Sequence, residues 1–105
     1  MQPSERILAL FEHISSIPRE TKNEAALRAW LQAWAAGRQL HTQTDTVGNL
    51  VIYVPASVGC EHKPTLILQG HLDMVCEKLP ASDHDFTRDP ICLLRRDVWL
   101  HSDKT

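Results

Sequence analysis

His71 and Asp73 are the two residues of this chain whose types and spacing can do chemistry together. They follow the apolar run Thr65-Leu66-Ile67-Leu68-Gln69, with Gly70 between. On an extended segment, side chains two apart point to the same side. The Asp73 carboxylate can therefore accept a hydrogen bond from the His71 imidazole. Such a bond fixes the tautomer and raises the basicity of a metal-binding histidine. Gly70 lets the backbone bend and a ligand approach closely. Open α/β sheets place their sites at the carboxyl ends of strands, which is where this pair falls. The competing reading is a polar loop, because His-x-Asp also arises by chance.

The other candidates read more plainly. His13 falls on a helix near its apolar stripe and reads as a core or surface histidine. His41, His62, His84 and His101 have no partner at ligand spacing and read as solvated groups. Cys60, Cys76 and Cys92 form no C-x-x-C pair, which gives no support to a zinc ribbon or redox motif. Three thiols cannot pair off completely, so reduced cysteines in a cytoplasmic protein are expected. Cys76 reads as a small packing residue near His71 and Asp73. Trp30 and Trp34 share one helix face and read as packing against a sheet. Arg95-Arg96 is too short for a nucleic-acid patch.

Around these residues stand 105 positions with 11 Lys and Arg against 13 Asp and Glu, a net charge of −2. That length allows one domain at most. The charge carries no clustered positive excess, so neither nucleic acid nor an anionic membrane is expected as partner. No apolar run approaches the ~18 residues of a membrane span. The N-terminus lacks the charged, apolar and cleavage regions of a signal peptide. An apolar fraction of 43% is enough for a folded chain.

The elements that must position the pair come next. Ser4 is the expected N-cap of a first helix, with Ile7, Leu8, Leu10, Phe11, Ile14 and Ile17 on a 3.6-residue period and Pro18 as its stop. Thr21-Lys22-Asn23-Glu24 reads as a capping box for a second helix, with Gly37 as its left-handed end. Leu40–Thr46, a turn at Val47-Gly48-Asn49, and Leu50–Val54 read as strand, turn and strand. Thr65–Gln69 reads as a further strand covered on both faces. Ile91–Leu94 and Val98–Leu100 read as a short hairpin around Arg95-Arg96-Asp97. The fold class is therefore α/β, two helices followed by a few strands of a mixed sheet. Two helices cover one sheet face, which leaves Leu66–Leu68 asking for a second cover.

One resemblance runs through these segments in order. Leu66-Ile67-Leu68-Gln69-Gly70-His71-Leu72-Asp73-Met74-Val75 resembles the first metal-binding motif of the M20 zinc peptidases. Glu77-Lys78 and the stretch from His84-Asp85-Phe86 to Asp89-Pro90-Ile91 narrow it to the aminoacylhistidine dipeptidases, also called peptidase D or Xaa-His dipeptidases. Phe11 to Arg19, with its Ile-Pro-Arg exit, and Asp45-Thr46-Val47-Gly48-Asn49-Leu50 match as well. The resemblance implies the N-terminal part of a zinc-peptidase-like α/β/α catalytic domain. It implies metal-dependent hydrolysis of dipeptides, Xaa-His among them, with two zinc ions and a bridging water. It assigns His71 as a zinc ligand and Asp73 as the acidic residue that orients it, a position counted as catalytic in the family. It also allows for a homo-oligomer in the longer chain.

The match also has an edge. Where the family continues into a Gly-rich motif whose Asp bridges both metals, this chain reads His101-Ser102-Asp103-Lys104-Thr105. Lys104 stands where the family has Gly. Residues 1–105 then read as an incomplete N-terminal portion of the catalytic domain, without the lid or dimerisation domain. A catalytic zinc needs about three protein ligands. The expectation is that this chain alone binds zinc weakly and has no dipeptidase activity. The alternative reading is a truncated, inactive product with a structural or interaction role. Another M20 subgroup, a tripeptidase or amino-acid deacylase, is disfavoured by the stretch from His84 to Ile91.

Overall fold

The computed structural model describes residues 1–105. The element order is α1 (Pro3–Ser15), α2 (Ala25–Ala36), β1 (His41–Thr44), β2 (Leu50–Tyr53), β3 (Leu93–Arg96) and β4 (Trp99–Ser102). The chain divides into two units, Met1–Leu27 with Leu72–Thr105, and Arg28–His71. The expected α/β class holds. The strands pair as two antiparallel two-stranded sheets, and a lone parallel bridge joins Glu20 to Met74.

In the first unit, α1 starts two residues earlier than the Ser4 cap implied, with Gln2 as its N-cap. Pro3 takes the first helical turn, where its missing N–H costs nothing. The Gln2 amide donates to Glu5 Oε2 at 2.8 Å, and the acidic side chain also suits the positive helix end. The helix closes at Ser15, and Ser16 donates its amide to Glu12 and His13 and its hydroxyl to the His13 carbonyl. The apolar stripe is only partly covered, with Ile7 66% and Phe11 46% exposed.

The C-terminal hairpin of this unit is shifted from its expected place. Leu93 pairs with Ser102 and Arg96 with Trp99, so Asp97 and Val98 make a two-residue turn. Asp97 adopts φ 53, a left-handed conformation that Asp tolerates better than most residues. The Asp103 amide extends the ladder to the Cys92 carbonyl at 3.0 Å. The Ile91 amide donates to the Ser15 carbonyl, and Arg95 Nη2 meets Glu12 Oε1 at 3.2 Å. These two contacts hold the strand end against α1.

Two helix-end expectations need correction. Thr21 does not cap α2, which begins at Ala25. Lys22 has φ 71, and its amide takes the Glu24 carboxylate that a capping box would have used for Thr21. At the other end the left-handed residue is Gln39, φ 57, and not Gly37. The Gln39 amide bonds the Ala36 carbonyl at 2.9 Å and the Leu40 amide the Ala35 carbonyl at 3.0 Å. That pair of bonds is a Schellman closure displaced by two residues. Arg38 supports it, with its guanidinium 3.9 Å from the centre of the Trp34 ring.

In the second unit, β1 and β2 pair with His41 opposite Tyr53 and Thr44 opposite Leu50. Asp45 builds the turn. Its Oδ1 accepts from the amides of Val47 at 3.0 Å and Asn49 at 2.9 Å, and its Oδ2 accepts from Asn49 Nδ2 at 2.7 Å. Gly48 sits at φ 94, and a Cβ there would run into the Arg28 guanidinium, which donates to the Gly48 carbonyl at 3.3 Å. The left-handed φ calls for glycine, whereas the flexible end of Arg28 could shift to admit a Cβ.

The expected strand at Thr65–Gln69 does not form a ladder. Leu66, Ile67 and Leu68 are 81%, 82% and 87% exposed. β-rich composition describes what fits a pleated, half-buried surface, and these residues have no neighbouring strand to supply that surface. Apolar burial is correspondingly confined to Leu27 and Ala35.

Candidate functional site

The site begins where Pro18 ends the approach from α1. Arg19, Glu20 and Thr21 run alongside Leu72, Met74 and Asp73 in the first unit. The Met74 amide donates to the Arg19 carbonyl at 3.0 Å, the backbone core of the Glu20–Met74 bridge. Arg19 Nη1 donates back to the Leu72 carbonyl at 3.0 Å. Thr21 Oγ1 donates to Asp73 Oδ2 at 2.6 Å, a charge-assisted bond at the short end of the range. Three bonds thus tie two segments more than fifty residues apart in sequence.

Electrostatics follow from this packing. Partial burial lowers the Arg19 pKa, and the Asp73 carboxylate works in the opposite direction by favouring the charged guanidinium. Arg19 Nε is buried without a hydrogen-bond partner. Burial raises the Cys76 thiol, and the negative fields of Glu20, Asp73 and Glu77 push it the same way. Cys76 Sγ lies 3.5 Å from the Met74 carbonyl, to which it donates weakly. All three cysteines are free thiols.

The two residues singled out from the sequence are placed differently. Asp73 is half-buried in the first unit, with Thr21 as its partner. His71 is exposed and is the last residue of the second unit. The zinc implied by the resemblance does not fit these residues alone. No three His, Cys, Asp or Glu side chains come together to hold a metal ion.

Sequence reasoning missed Thr21 as a partner of Asp73, because Thr-x-x-Glu is so often a capping box. The signal available was Pro18-Arg19, which turns the chain out of the helix before Thr21 is reached. A shallow cleft of about 210 Å³ on the β1–β2 hairpin is lined by Gln43, Thr44, Asp45, Asn49 and Val51. It is smaller than typical small-molecule sites, and its carboxylate is already committed to the turn.

No known family model matches the chain. It is 42% identical over 82 residues to the cytosol non-specific dipeptidase of Escherichia coli strain K12, covering 78% of this chain and 17% of that protein. In structure it is similar to the aminoacylhistidine dipeptidase of Vibrio alginolyticus, with a TM-score of 0.86 and 39% identity, covering 90% of this chain and 19% of the other. The chain therefore spans less than a fifth of the length of either. No helix is long and apolar enough to cross a membrane.

Proposed function

We propose, on a resemblance to the aminoacylhistidine dipeptidases that now holds over 90% of the chain, that this polypeptide carries the His71 and Asp73 part of a dipeptidase active site. The observation that carries the reading is Asp73, ordered by Thr21 Oγ1 at 2.6 Å and set beside the Arg19 charge, directly after a segment matching the dipeptidase motif. In a chain of the relatives' length, the substrate is a dipeptide with a free N-terminus, Xaa-His among those accepted. The setting is cytosolic, as the name of the Escherichia coli relative has it.

His71 is proposed as one ligand of a zinc centre and Asp73 as the acid adjacent to it. The residues described here do not complete such a centre, so its other ligands would have to come from outside positions 1–105. The contribution of this chain is confined to its own groups. Thr21 and the Arg19 backbone fix the Asp73 segment, and Arg19 adds positive charge beside the carboxylate.

A second reading is that the 105 residues alone are catalytically inactive, with at most a structural or interaction role. The exposed Leu66–Leu68 run favours it, since that surface lacks the partner a strand requires.

Zinc titration by calorimetry, paired with hydrolysis of a Xaa-His dipeptide, tests both readings. The 105-residue chain is expected to bind zinc weakly and to turn nothing over; micromolar zinc binding with turnover would overturn that. The full-length protein is expected to hydrolyse the dipeptide and to lose activity in His71→Ala and Asp73→Ala. Full activity in both variants would remove His71 and Asp73 from the site.

A further inference from the structure

We propose that Thr21 is a positioning residue for Asp73, an inference that rests on the dipeptidase reading above. A carboxylate on a half-buried side chain can rotate about its last torsion, and rotation moves both oxygens. Thr21 restricts that rotation. Its hydroxyl has one proton, and it is donated to Asp73 Oδ2 at 2.6 Å.

The hydroxyl is itself held in place from the backbone. Arg19 and Met74 form the amide-to-carbonyl bond of the parallel bridge, and Arg19 Nη1 clamps the Leu72 carbonyl on the other side. The segment carrying Thr21 is thus registered to the segment carrying Asp73 on both flanks of the carboxylate. Thr21 does not cap α2, which begins at Ala25, so its hydroxyl is left for Asp73. A catalytic group displaced by even about 1 Å can lose on the order of a hundredfold in rate. A hydroxyl that fixes a carboxylate oxygen acts on the chemical step more than on substrate capture.

The test uses three forms of the full-length protein: the natural sequence, Thr21→Val and Thr21→Ser. Valine keeps the shape and removes the proton; serine keeps the proton. Two readouts are taken, the steady-state constants for a Xaa-His dipeptide and the Asp73 Cγ resonance of carbon-13-labelled protein at neutral pH. Thr21→Val is expected to lower kcat about tenfold or more, with KM little changed and the Asp73 resonance displaced. Thr21→Ser is expected to restore both. An unmoved Asp73 resonance in Thr21→Val, or a resonance that moves while kcat stays constant, overturns the positioning role. Thermal unfolding of each form separates these results from loss of fold, since a purely structural threonine would change Tm and leave kcat of the folded protein unaltered. An inactive natural sequence overturns the dipeptidase reading itself and takes this proposal with it.

Discussion

The Arg19 guanidinium donates to the Leu72 carbonyl at 3.0 Å, across 53 residues of sequence. With the Met74 amide returning a bond to the Arg19 carbonyl, it makes the chain just after Pro18 one wall of the segment that carries Asp73. The bond is charge-assisted and only partly buried, so its worth lies near the lower end for such bonds.

Arg19→Met is therefore expected to cost about 1.5 kcal/mol of stability. Arg19→Lys should recover part of it, because an ammonium keeps the charge without the fork of donors. Urea unfolding of the three forms measures this. Equal midpoints for Arg19→Met and the natural sequence would show that the clamp adds nothing.

Asp45 supplies a pH test of the β1–β2 turn. The bonds from Asn49, side chain first and amide second, hold the Asp45 carboxyl below its ordinary value, with the Val47 and Gly48 amides adding to them. A carboxyl depressed in the folded state stabilises the fold above its unfolded pKa of about 4, and that contribution is lost as pH falls through the lower folded value. Protection of the Val47 and Asn49 amides, measured against their intrinsic exchange rates, should be highest near neutral pH and fall, relative to the rest of the hairpin, in acid below about pH 4. In Asp45→Ala the two amides should show low protection at every pH, with no acid step.

Cys76 should be the slow thiol. Burial and the surrounding carboxylates disfavour its thiolate, which is the reactive form. Cys60 and Cys92 are exposed. Alkylation with iodoacetamide, followed by mass spectrometry of the digested chain, should label Cys76 several-fold more slowly than either. Glu20→Gln should narrow the gap by removing one negative neighbour. Equal rates at all three thiols would contradict the packing around Met74.

Ile67→Lys probes the uncovered apolar run. At 82% exposure the side chain has little apolar contact to lose, so stability should change by less than about 0.5 kcal/mol. A lysine in an exposed β-prone segment also opposes edge-to-edge association, so solubility should rise. Thermal unfolding and light scattering check the two parts. A large destabilisation would mean that Leu66–Leu68 is covered in solution.

Much of the local structure was legible because it depends on neighbours in sequence. The β1–β2 turn follows from Asp45, Gly48 and Asn49, whose side chains bond the backbone within a few positions. The first helix follows from its apolar period and from Pro18. The motif containing His71 and Asp73 was equally legible, and with it the resemblance to dipeptidases that the comparisons bear out.

What sequence could not decide was where competing local bonds would go. Thr21 can cap a helix or reach a distant carboxylate, and the second option wins because the Arg19–Met74 backbone bridge brings Asp73 within 2.6 Å of it. Gly37 can end a helix, yet the closure forms two residues later at Gln39. Leu66–Leu68 has the composition of a strand but no ladder, since a strand is defined by a partner that composition does not name. The sequence by itself determined the β1–β2 turn and the period of the first helix, both set by short-range geometry, and it singled out His71 and Asp73 as the candidate pair. Only the tertiary structure decided that Asp73 is held by Thr21 and Arg19, because that arrangement depends on two segments meeting across the chain.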